Sequence, residues 1–460
     1  MNSENYDSEM HSGPLLGRIL IFALPIMAMN VLQLLFNAAD MVVVGRFSGS
    51  QALAAVGATG PLINLIVNLF MGLSVGASVI VAQDYGAEKP DNISRSVHTS
   101  IAISAVSGVV VMAAGLVLCK PLLGIMGTPK DIIDLSVLYT KVYFLGLPAS
   151  MIYNFGAAIL RATGDSRRPM YFLTITGIVN VILNVFFVVG LHMGVLGVAW
   201  ATVIAQYLST LLIMLCLSRS DGPLRFSFNL LRIDRHKLKD IVRIGLPAGL
   251  QGLLFSISNV LIQSAVNSFG SIMVAANAAA GNVEGFVGTA MNAYYNAAIT
   301  FTGQSMGAKK YDQIDAIAKV CTILIFATWI VLGGGVLLFG RSLLSFYTSN
   351  PEVIDLGMLR LKVKMSAYFI CAVMNVYPGL TRAMGYSILP MLCTLVGACL
   401  MRIVWLATVF KWYPTVVMLY MCYPVTWAFA GLGQVGSFFY ARHQVRTRAM
   451  EEAGQAQAVS

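Results

Sequence analysis

Apolar runs of helix length follow one another along nearly the whole chain and limit the possible folds more than any other feature. Such a run needs about 20 residues to cross a bilayer as a helix, and 460 residues, 57% of them hydrophobic, supply twelve. We therefore predict an all-α polytopic membrane protein with twelve transmembrane helices. The predicted spans fall near 19–43, 52–82, 97–119, 132–158, 169–190, 194–217, 243–268, 273–301, 316–340, 353–380, 389–410 and 414–440.

The scarcity of charged residues excludes other classes of protein. Only 11% of the residues are charged, against roughly 25% in soluble domains, so a polar outer surface cannot be built. Disordered chains are poor in apolar residues, and membrane β-barrels alternate apolar with polar positions, whereas these runs are continuous. In such a chain, the net charge of +10 relates to orientation and lipid headgroups and does not indicate nucleic acid binding.

The two halves of the sequence are copies of each other at an offset of 221 or 222 residues. Six helices per copy leave both copies in the same orientation, so we predict two parallel six-helix bundles related by a pseudo-two-fold axis along the membrane normal. Such folds place a substrate path between the halves and rock one against the other. The repeated elements include Leu24-Pro25 with Leu246-Pro247, Gln83-x-x-Gly86-Ala87 with Gln304-x-x-Gly307-Ala308, and Arg161-Ala162-x-Gly164 with Arg382-Ala383-x-Gly385.

The distribution of Lys and Arg predicts the topology. The N-terminal segment, the even-numbered loops and the C-terminal tail hold 20 of these residues, and the odd-numbered loops hold five, which places both termini in the cytoplasm. The predicted organisation is an N-terminal lobe over 1–217, a basic cytoplasmic linker over 218–242, a C-terminal lobe over 243–440 and a cytoplasmic tail over 441–460.

Of the 20 carboxylates, 18 lie in tails, loops or helix ends, and two lie further inside predicted spans, where a charge is costly and indicates function. Asp40 lies late in the first span, and Glu284 lies in the middle of the eighth. Neither is repeated, because the corresponding positions are Ile262 and Ile63. Features present in one copy only are better candidates for chemistry than features present in both.

Asp40 is predicted to meet Asn180 and Asn184 of the fifth span and Thr202 of the sixth, because all four lie at similar depth. A carboxylate surrounded by amide and hydroxyl oxygens can take up a proton or hold a small cation such as Na⁺. The alternative is an interfacial Asp near the headgroups beside two Asn that pack helices together.

Glu284 has three interpretations. It can be a second proton or cation site, the anionic contact of a cationic substrate, or a carboxylate neutralised by a basic neighbour such as Arg402. Lys141 and Lys364 are further candidate counter-charges.

The first and seventh spans combine a proline with a polar face. Pro25 precedes Gln33 and Asn37, and Pro247 precedes Gln251. Proline removes a backbone hydrogen bond and kinks a helix, so the first span is either a moving part or a static kink. Aromatic residues such as Tyr295 suit a deformable apolar pocket, although most aromatics are expected to be packing residues.

The residues resemble those of the MATE multidrug exporters (multidrug and toxic compound extrusion), with the DinF-like prokaryotic branch most similar. The resemblance covers about 15–440. It rests on the two parallel sixes, the Leu-Pro of the first span, Asn37-Ala-Ala-Asp40-x-x-x-x-Gly45, Gly76-Ala77 before Gln83-x-x-Gly86-Ala87, and Arg161-Ala162-x-Gly164-Asp165.

The resemblance implies antiport of amphipathic, often cationic, compounds against protons or sodium. It gives Asp40 the role of coupling carboxylate, with Asn180, Asn184 and Thr202 around it, and it implies a bend at Pro25. The position of Asn184 is commonly Asp in that branch, so a lone carboxylate remains, which suits one proton better than sodium. The acids of the NorM-like branch are replaced here by Phe255 and by Asn375.

We therefore predict a secondary antiporter in a bacterial plasma membrane, coupled to H⁺ or Na⁺, monomeric and without a cofactor. A lipid-linked precursor flippase of the same wider superfamily is the alternative. An intramembrane enzyme is disfavoured, since no paired catalytic residues lie at one depth and no Walker A, HExxH or GxSxG motif occurs. The predicted cavity residues are Gln33, Asn37, Gln251, Glu284, Tyr295 and Arg402.

Overall fold

A computed structural model describes residues 14–126 and 128–459, and the chain in these ranges is helical along most of its length. Within the first half, α4 consists of two helices that meet at an angle of 47°. The first six helices are α1 (Leu15–Phe47), α2 (Ser50–Gly86), α3 (Pro90–Ile125), α4 (Ile133–Leu145 and Leu147–Ala162), α5 (Arg167–Val185) and α6 (Gly194–Ser218).

The second half repeats this order after two short 3₁₀ turns, Gly222–Leu224 and Phe228–Leu230. Stretches of π-helix extend α5 (Phe186–Gly190) and interrupt α9 (Trp329–Gly333) and α11 (Leu395–Leu400). The last six helices are α7 (Arg235–Asn267), α8 (Ser271–Gly307), α9 (Asp312–Thr328 and Gly334–Ser345), α10 (Pro351–Ser366 and Tyr368–Ala383), α11 (Ile388–Thr394, Met401–Ala407 and Val409–Trp412) and α12 (Val416–Val459).

Each predicted span overlaps one of these twelve helices, and the predicted all-α membrane fold is confirmed. Among the described residues, nine helices are individually long and apolar enough to cross a membrane, and the two parts of α4 make a tenth if they form one span. Helices α8 and α10 fall outside that count. They carry four buried charged residues, Glu284, Arg360, Lys364 and Arg382.

The backbone repeats at the offset seen in the sequence. Gly49 and Gly270 precede α2 and α8 with φ of 88° and 91°, and Gly164 and Gly385 follow α4 and α10 with φ of 104° and 92°. Glycine adopts this left-handed region without a steric penalty, so it can close a helix there. The glycine of each repeated Arg-Ala-x-Gly element therefore lies in the turn that follows its helix.

The chain divides into two compact units, and the division falls inside two of the helices. The N-terminal unit comprises Ala28–Gly249, and the C-terminal unit comprises Met1–Met27 with Leu250–Ser460. The chain thus passes between the units at only two points, inside α1 and inside α7. Each point lies two residues after a helix proline, Pro25 or Pro247. The lobe boundaries derived from the sequence stay a prediction.

Within the N-terminal unit, the first part of α7 packs directly on the backbone of α2. A Cβ atom added to Gly72 would lie 2.0 Å from the backbone nitrogen of Gly249, and one added to Gly76 would lie 2.2 Å from the carbonyl oxygen of Ile241. Small residues allow helix backbones to approach closely in membranes. The glycines of both helices therefore set the distance between α2 and α7.

We expect Gly72→Ala to destabilise the protein by about 1–3 kcal/mol, because the new methyl group must push two helix backbones apart. The measurement is the melting temperature in detergent. Gly436→Ala is the matched control, since a Cβ there meets nothing within 4 Å and alanine favours the helix. Equal melting temperatures for the two variants would contradict the packing described.

The basic linker is anchored to the N-terminal unit. Phe226 is buried and stacks on the ring of His98, with 5.4 Å between the ring centroids. Lys237 forms an ion pair with Asp84 at 2.5 Å. The backbone N–H groups of Lys237 and His236 donate to the carboxylate of Asp234, and this lowers the pKa of that carboxyl group. The pair and the cap fix the start of α7.

Helix α12 continues through the predicted tail to Val459, and the extension is attached to the start of α9. Arg442 and Arg446 donate to the carboxylate of Asp315 at 2.6 and 2.8 Å. Lys309 pairs with Glu452 at 3.3 Å on the exposed side. The region predicted as a tail is therefore mostly a continuation of the last helix.

Candidate functional site

Asp40 of α1 meets the two predicted asparagines of α5 in the N-terminal unit. Asn184 donates one side-chain N–H to the carboxylate of Asp40 and the other to the amide oxygen of Asn180, the latter at 3.2 Å. Asn184 is fully buried and Asn180 is nearly so. Residues one helical turn apart share a face, and this face of α5 points its amides at the acid.

A glycine allows α1 to come close enough for this contact. Gly177 lies on the same face of α5 as Asn180 and Asn184, and a Cβ atom there would lie 1.9 Å from the ring of Phe36 on α1. The ring of Phe36 therefore fills the space that a side chain would take. Asp40, one turn further along α1, comes within hydrogen-bonding distance of Asn184.

One oxygen in this cluster is unused. The amide oxygen of Asn184 is buried and has no hydrogen-bond partner among the described residues. Both N–H groups of the same amide are already donated. A buried polar atom without a partner costs about 1–3 kcal/mol. The cluster can recover this energy when a proton on Asp40 or a small cation supplies a partner.

Among the hydrogen bonds of the described residues, none joins Thr202 to Asp40. The hydroxyl of Thr202 donates to the carbonyl of Val198 in its own helix, at 3.0 Å. Hydroxyl groups in apolar helices commonly bond back to the preceding turn in this way. The predicted group of four is thus three linked residues, with Thr202 turned to its own backbone.

Two tyrosines of α4 that sequence reasoning missed pack near the Asp40 end of α1. Tyr139 and Tyr143 belong to one apolar cluster with Val43 and Val44 of α1, and their rings stack with 6.1 Å between centroids. Two tyrosines spaced i, i+4 in an apolar run were the available signal. On α1 itself, Gln33 and Asn37 share the face of Asp40 and are exposed.

Glu284 forms a buried ion cluster with two cations of α10 in the C-terminal unit. Arg360 donates Nε and Nη2 to the two carboxylate oxygens at 3.2 and 2.7 Å, and Lys364 donates to one of them at 2.7 Å. All three residues are less than 9% exposed. Glu284 is thus neutralised, by Arg360 and Lys364 and not by Arg402, and the cluster carries one excess positive charge.

Polar groups and aromatic rings surround this cluster. Arg360 also donates to the backbone and side-chain oxygens of Asn277, both at 2.5 Å. The ammonium of Lys364 lies 3.9 Å from the centre of the Tyr423 ring. A cation over an aromatic face is stabilised by the ring quadrupole, so Tyr423 shares in holding the excess charge.

Arg402 of α11 is completely buried among hydroxyl, amide and aromatic groups. Its Nη1 donates to the hydroxyl of Ser258 at 3.0 Å and to the amide oxygen of Asn259 at 2.8 Å. The guanidinium lies between two rings, 5.1 Å from the centre of Phe255 and 5.0 Å from that of Tyr423. The ion pairs of the described residues include none with Arg402.

Gln251 and Tyr295 meet at a shared arginine. Arg382, at the end of α10, donates to the amide oxygen of Gln251 at 2.5 Å and to the hydroxyl of Tyr295 at 2.6 Å. Arg382 belongs to the repeated turn element, and its link to the two predicted cavity residues was not anticipated. The three side chains join α7, α8 and α10 within the C-terminal unit.

The internal repeat also appears in comparison with known families. The sequence profile of the MatE family matches residues 25–186 and again residues 247–408. The two stretches begin 222 residues apart and together cover more than half of the chain. The chain belongs to the MatE family. Members of this family are transport proteins with several membrane-spanning helices.

Among curated relatives of this MatE protein is the Probable multidrug resistance protein YoeA of Bacillus subtilis. It is 29% identical over 382 residues, which cover 80% of this chain and 81% of the relative. The fold is shared with solved structures. A mutant form of the Vibrio cholerae MATE transporter VcmN has a TM-score of 0.87 at 20% identity, covering 94% of this chain and 97% of that one.

A second solved structure with the same fold is a MOP superfamily transporter from Pyrococcus furiosus, for which reverse polarity of the binding pocket suggests a different function. It has a TM-score of 0.85 at 22% identity and covers 93% of this chain and 95% of that one. At this level of identity, the comparison establishes the fold alone.

Proposed function

We propose that the protein is a secondary active exporter of amphipathic, mainly cationic, organic compounds, which it exchanges for H⁺ or Na⁺ by alternating access. The observation that carries the proposal is the Asp40 cluster. A single carboxylate is held by the amide of Asn184, and the oxygen of the same amide has no hydrogen-bond partner in the described part of the chain. A proton or cation that binds there changes the charge and the hydrogen bonds of α1 together. The relative YoeA is named a probable multidrug resistance protein, and removal of drugs from the cell, which is export, is one way to give resistance.

A proton is the coupling ion that this arrangement favours. The groups that meet are one carboxylate and two neutral amides, and the hydroxyl of Thr202 is engaged elsewhere. A protonated Asp40 is neutral and can donate to the free oxygen of Asn184, whereas Na⁺ requires several oxygen ligands, of which this cluster offers few. Asn180 fixes the orientation of the Asn184 amide.

The two prolines mark the places where conformational change can occur. The chain passes between its compact units only at 27/28 and 249/250, each two residues after a proline inside a helix. Proline leaves the carbonyl four residues earlier without its helical partner, so a helix bends more readily there. We assign the hinge to Pro25 and its repeat counterpart Pro247.

The setting we propose is a bacterial plasma membrane, with both termini in the cytoplasm and a monomeric transporter that needs no cofactor. The excess of Lys and Arg in the N-terminal segment, even-numbered loops and tail supports that orientation. Gln33 and Asn37, exposed on the face of α1 that carries Asp40, are proposed substrate contacts.

The test uses purified protein in liposomes loaded with a fluorescent organic cation, with pH and sodium gradients imposed separately. We expect the pH gradient to drive dye transport and its collapse with a proton ionophore to stop it. Dye transport driven only by the sodium gradient would identify Na⁺ as the coupling ion. Absence of dye transport under both gradients would overturn the proposal.

A second candidate function, that of a lipid-linked precursor flippase, is supported by the buried cations of the C-terminal unit. Arg360, Lys364 and Arg402 are buried with one carboxylate among them, and a cationic site suits a lipid-linked phosphate. This second function predicts flipping of a phosphate-linked lipid in the same liposomes and no dye transport.

A further inference from the structure

The guanidinium of Arg402 has an unfilled hydrogen-bonding edge. Its Nε and Nη2 atoms are buried and have no hydrogen-bond partner among the described residues, while Nη1 is held by Ser258 and Asn259. Among the arginines of the described residues, only Arg402 has two buried guanidinium nitrogens without a hydrogen-bond partner. A buried charge without a counter-charge costs several kcal/mol.

The neighbouring Arg360 shows what this edge binds. It uses the same two atoms, Nε and Nη2, to hold the two oxygens of Glu284 at 3.2 and 2.7 Å. This paired geometry is the one in which arginine recognises carboxylate or phosphate groups. The structure thus contains two buried arginines of the same unit, one with its oxyanion and one without.

The charge around Arg402 favours the same ligand. Lys364 and Arg402 contact the Tyr423 ring, at 3.9 and 5.0 Å from its centre. Arg360, Lys364 and Arg402 together carry three positive charges against the single charge of Glu284. The π-helical stretch Leu395–Leu400 ends two residues before Arg402, and such stretches are frequent at functional sites.

The two repeats differ in polarity at this place. Arg402 corresponds to Val181 in the first repeat, beside Asn180 and on the helix that faces Asp40. One copy therefore presents amides to a carboxylate, and the other presents a guanidinium that lacks one. Neither feature follows from the shared scaffold.

We propose that the side edge of Arg402 is a binding subsite for the oxyanion, a carboxylate or phosphate, of an amphipathic substrate. The substrates of the proposed exporter then include zwitterions, with a cationic part and an anionic group that Arg402 holds. The edge is closed to solvent in this structure, so binding requires the C-terminal unit to open. The inference deepens the proposed export function and rests on it.

The test compares rhodamine B, which has a free carboxylate, with its ethyl ester, which lacks one. Binding to the purified full-length protein is measured by fluorescence anisotropy without any ion gradient. We expect the wild type to bind the acid at least about tenfold more tightly than the ester, because charged hydrogen bonds contribute about 1.5–3 kcal/mol. Decyl phosphate should compete with the acid. Decyltrimethylammonium should leave the preference for the acid over the ester unchanged.

The variants separate recognition from a packing role. Arg402→Gln should bind both dyes alike, and Arg402→Lys should retain only part of the preference, since an ammonium cannot make the paired contact. Arg341→Gln, which removes an exposed ion pair, is the matched control and should behave as the wild type does. Melting temperatures establish that each variant is folded.

Equal affinity of the wild type for acid and ester overturns the proposal, and so does an unchanged preference in folded Arg402→Gln. If Arg402→Gln does not fold, the proposal is tested by the acid-over-ester preference of the wild type and by its partial loss in Arg402→Lys. Because no gradient is present, a protein that prefers the acid but transports no dye in the liposome experiment contradicts export and leaves the subsite standing.

Discussion

Asp40→Asn should abolish ion-driven dye export and leave the protein folded. The substitution keeps an oxygen that accepts the hydrogen bond of Asn184, so the packing of α1 on α5 is retained. It removes the titratable proton and the charge, on which coupling depends. We expect gradient-driven transport in liposomes to fall to the level of protein-free vesicles, with the melting temperature changed by only a few degrees.

Gln33→Ala is the matched control for this variant. Gln33 lies on the same face of α1 as Asp40 and is exposed. We expect Gln33→Ala to change the apparent affinity for the dye while the response to the pH gradient persists. Asp40→Asn with undiminished proton-driven export would exclude Asp40 as the coupling group.

Removal of the charge of Glu284 should produce the largest loss of stability. Glu284→Gln leaves Arg360 and Lys364 buried without a counter-charge, and breaking a buried pair in this way costs about 3–5 kcal/mol. The expected result is a sharply lowered melting temperature in detergent. The double variant Glu284→Gln with Lys364→Met should recover part of the loss, since one unpaired cation is gone.

Asp355→Asn is the surface counterpart of that experiment. The pair of Asp355 with Arg341 is more than half exposed on both sides, and exposed ion pairs contribute about 0–1 kcal/mol. We expect little change in its melting temperature. If Glu284→Gln lowered the melting temperature no more than Asp355→Asn does, the buried ion cluster would not be a major source of stability.

Much of the fold followed from the sequence because each of its determinants is local. Apolar runs predicted the helices, and a constant offset predicted the repeat that the MatE profile matches twice. Gly164 and Gly385, repeated at the same offset, adopt φ of 104° and 92°, where a residue without a Cβ meets no steric penalty.

The Asp40 cluster was predictable in part. Depth and helical spacing brought Asp40, Asn180 and Asn184 together, and these three are linked in the structure. The direction of the Thr202 hydroxyl was not predictable, because either a partner helix or its own backbone could satisfy it. The approach of α1 to α5 depends on Gly177, whose role is visible only once Phe36 lies against it.

The partners of Glu284 were harder to find. A charge in one span can pair with cations in any other, and spacing along one chain does not say which helices touch. Arg360 and Lys364, spaced i, i+4 in an apolar run, gave a signal equal to that of the two asparagines. The sequence allows Arg402 as the counter-charge of Glu284, whereas in the structure Arg402 donates to Ser258 and Asn259.

We propose that Asp40 alone carries the proton that is exchanged for substrate. The test imposes a dye gradient on liposomes and records their internal pH, with no ion gradient present at the start. We expect wild-type protein to move protons against the flow of dye, and Asp40→Asn to move none. Proton movement coupled to dye in Asp40→Asn would show that a group other than Asp40 carries the coupled proton.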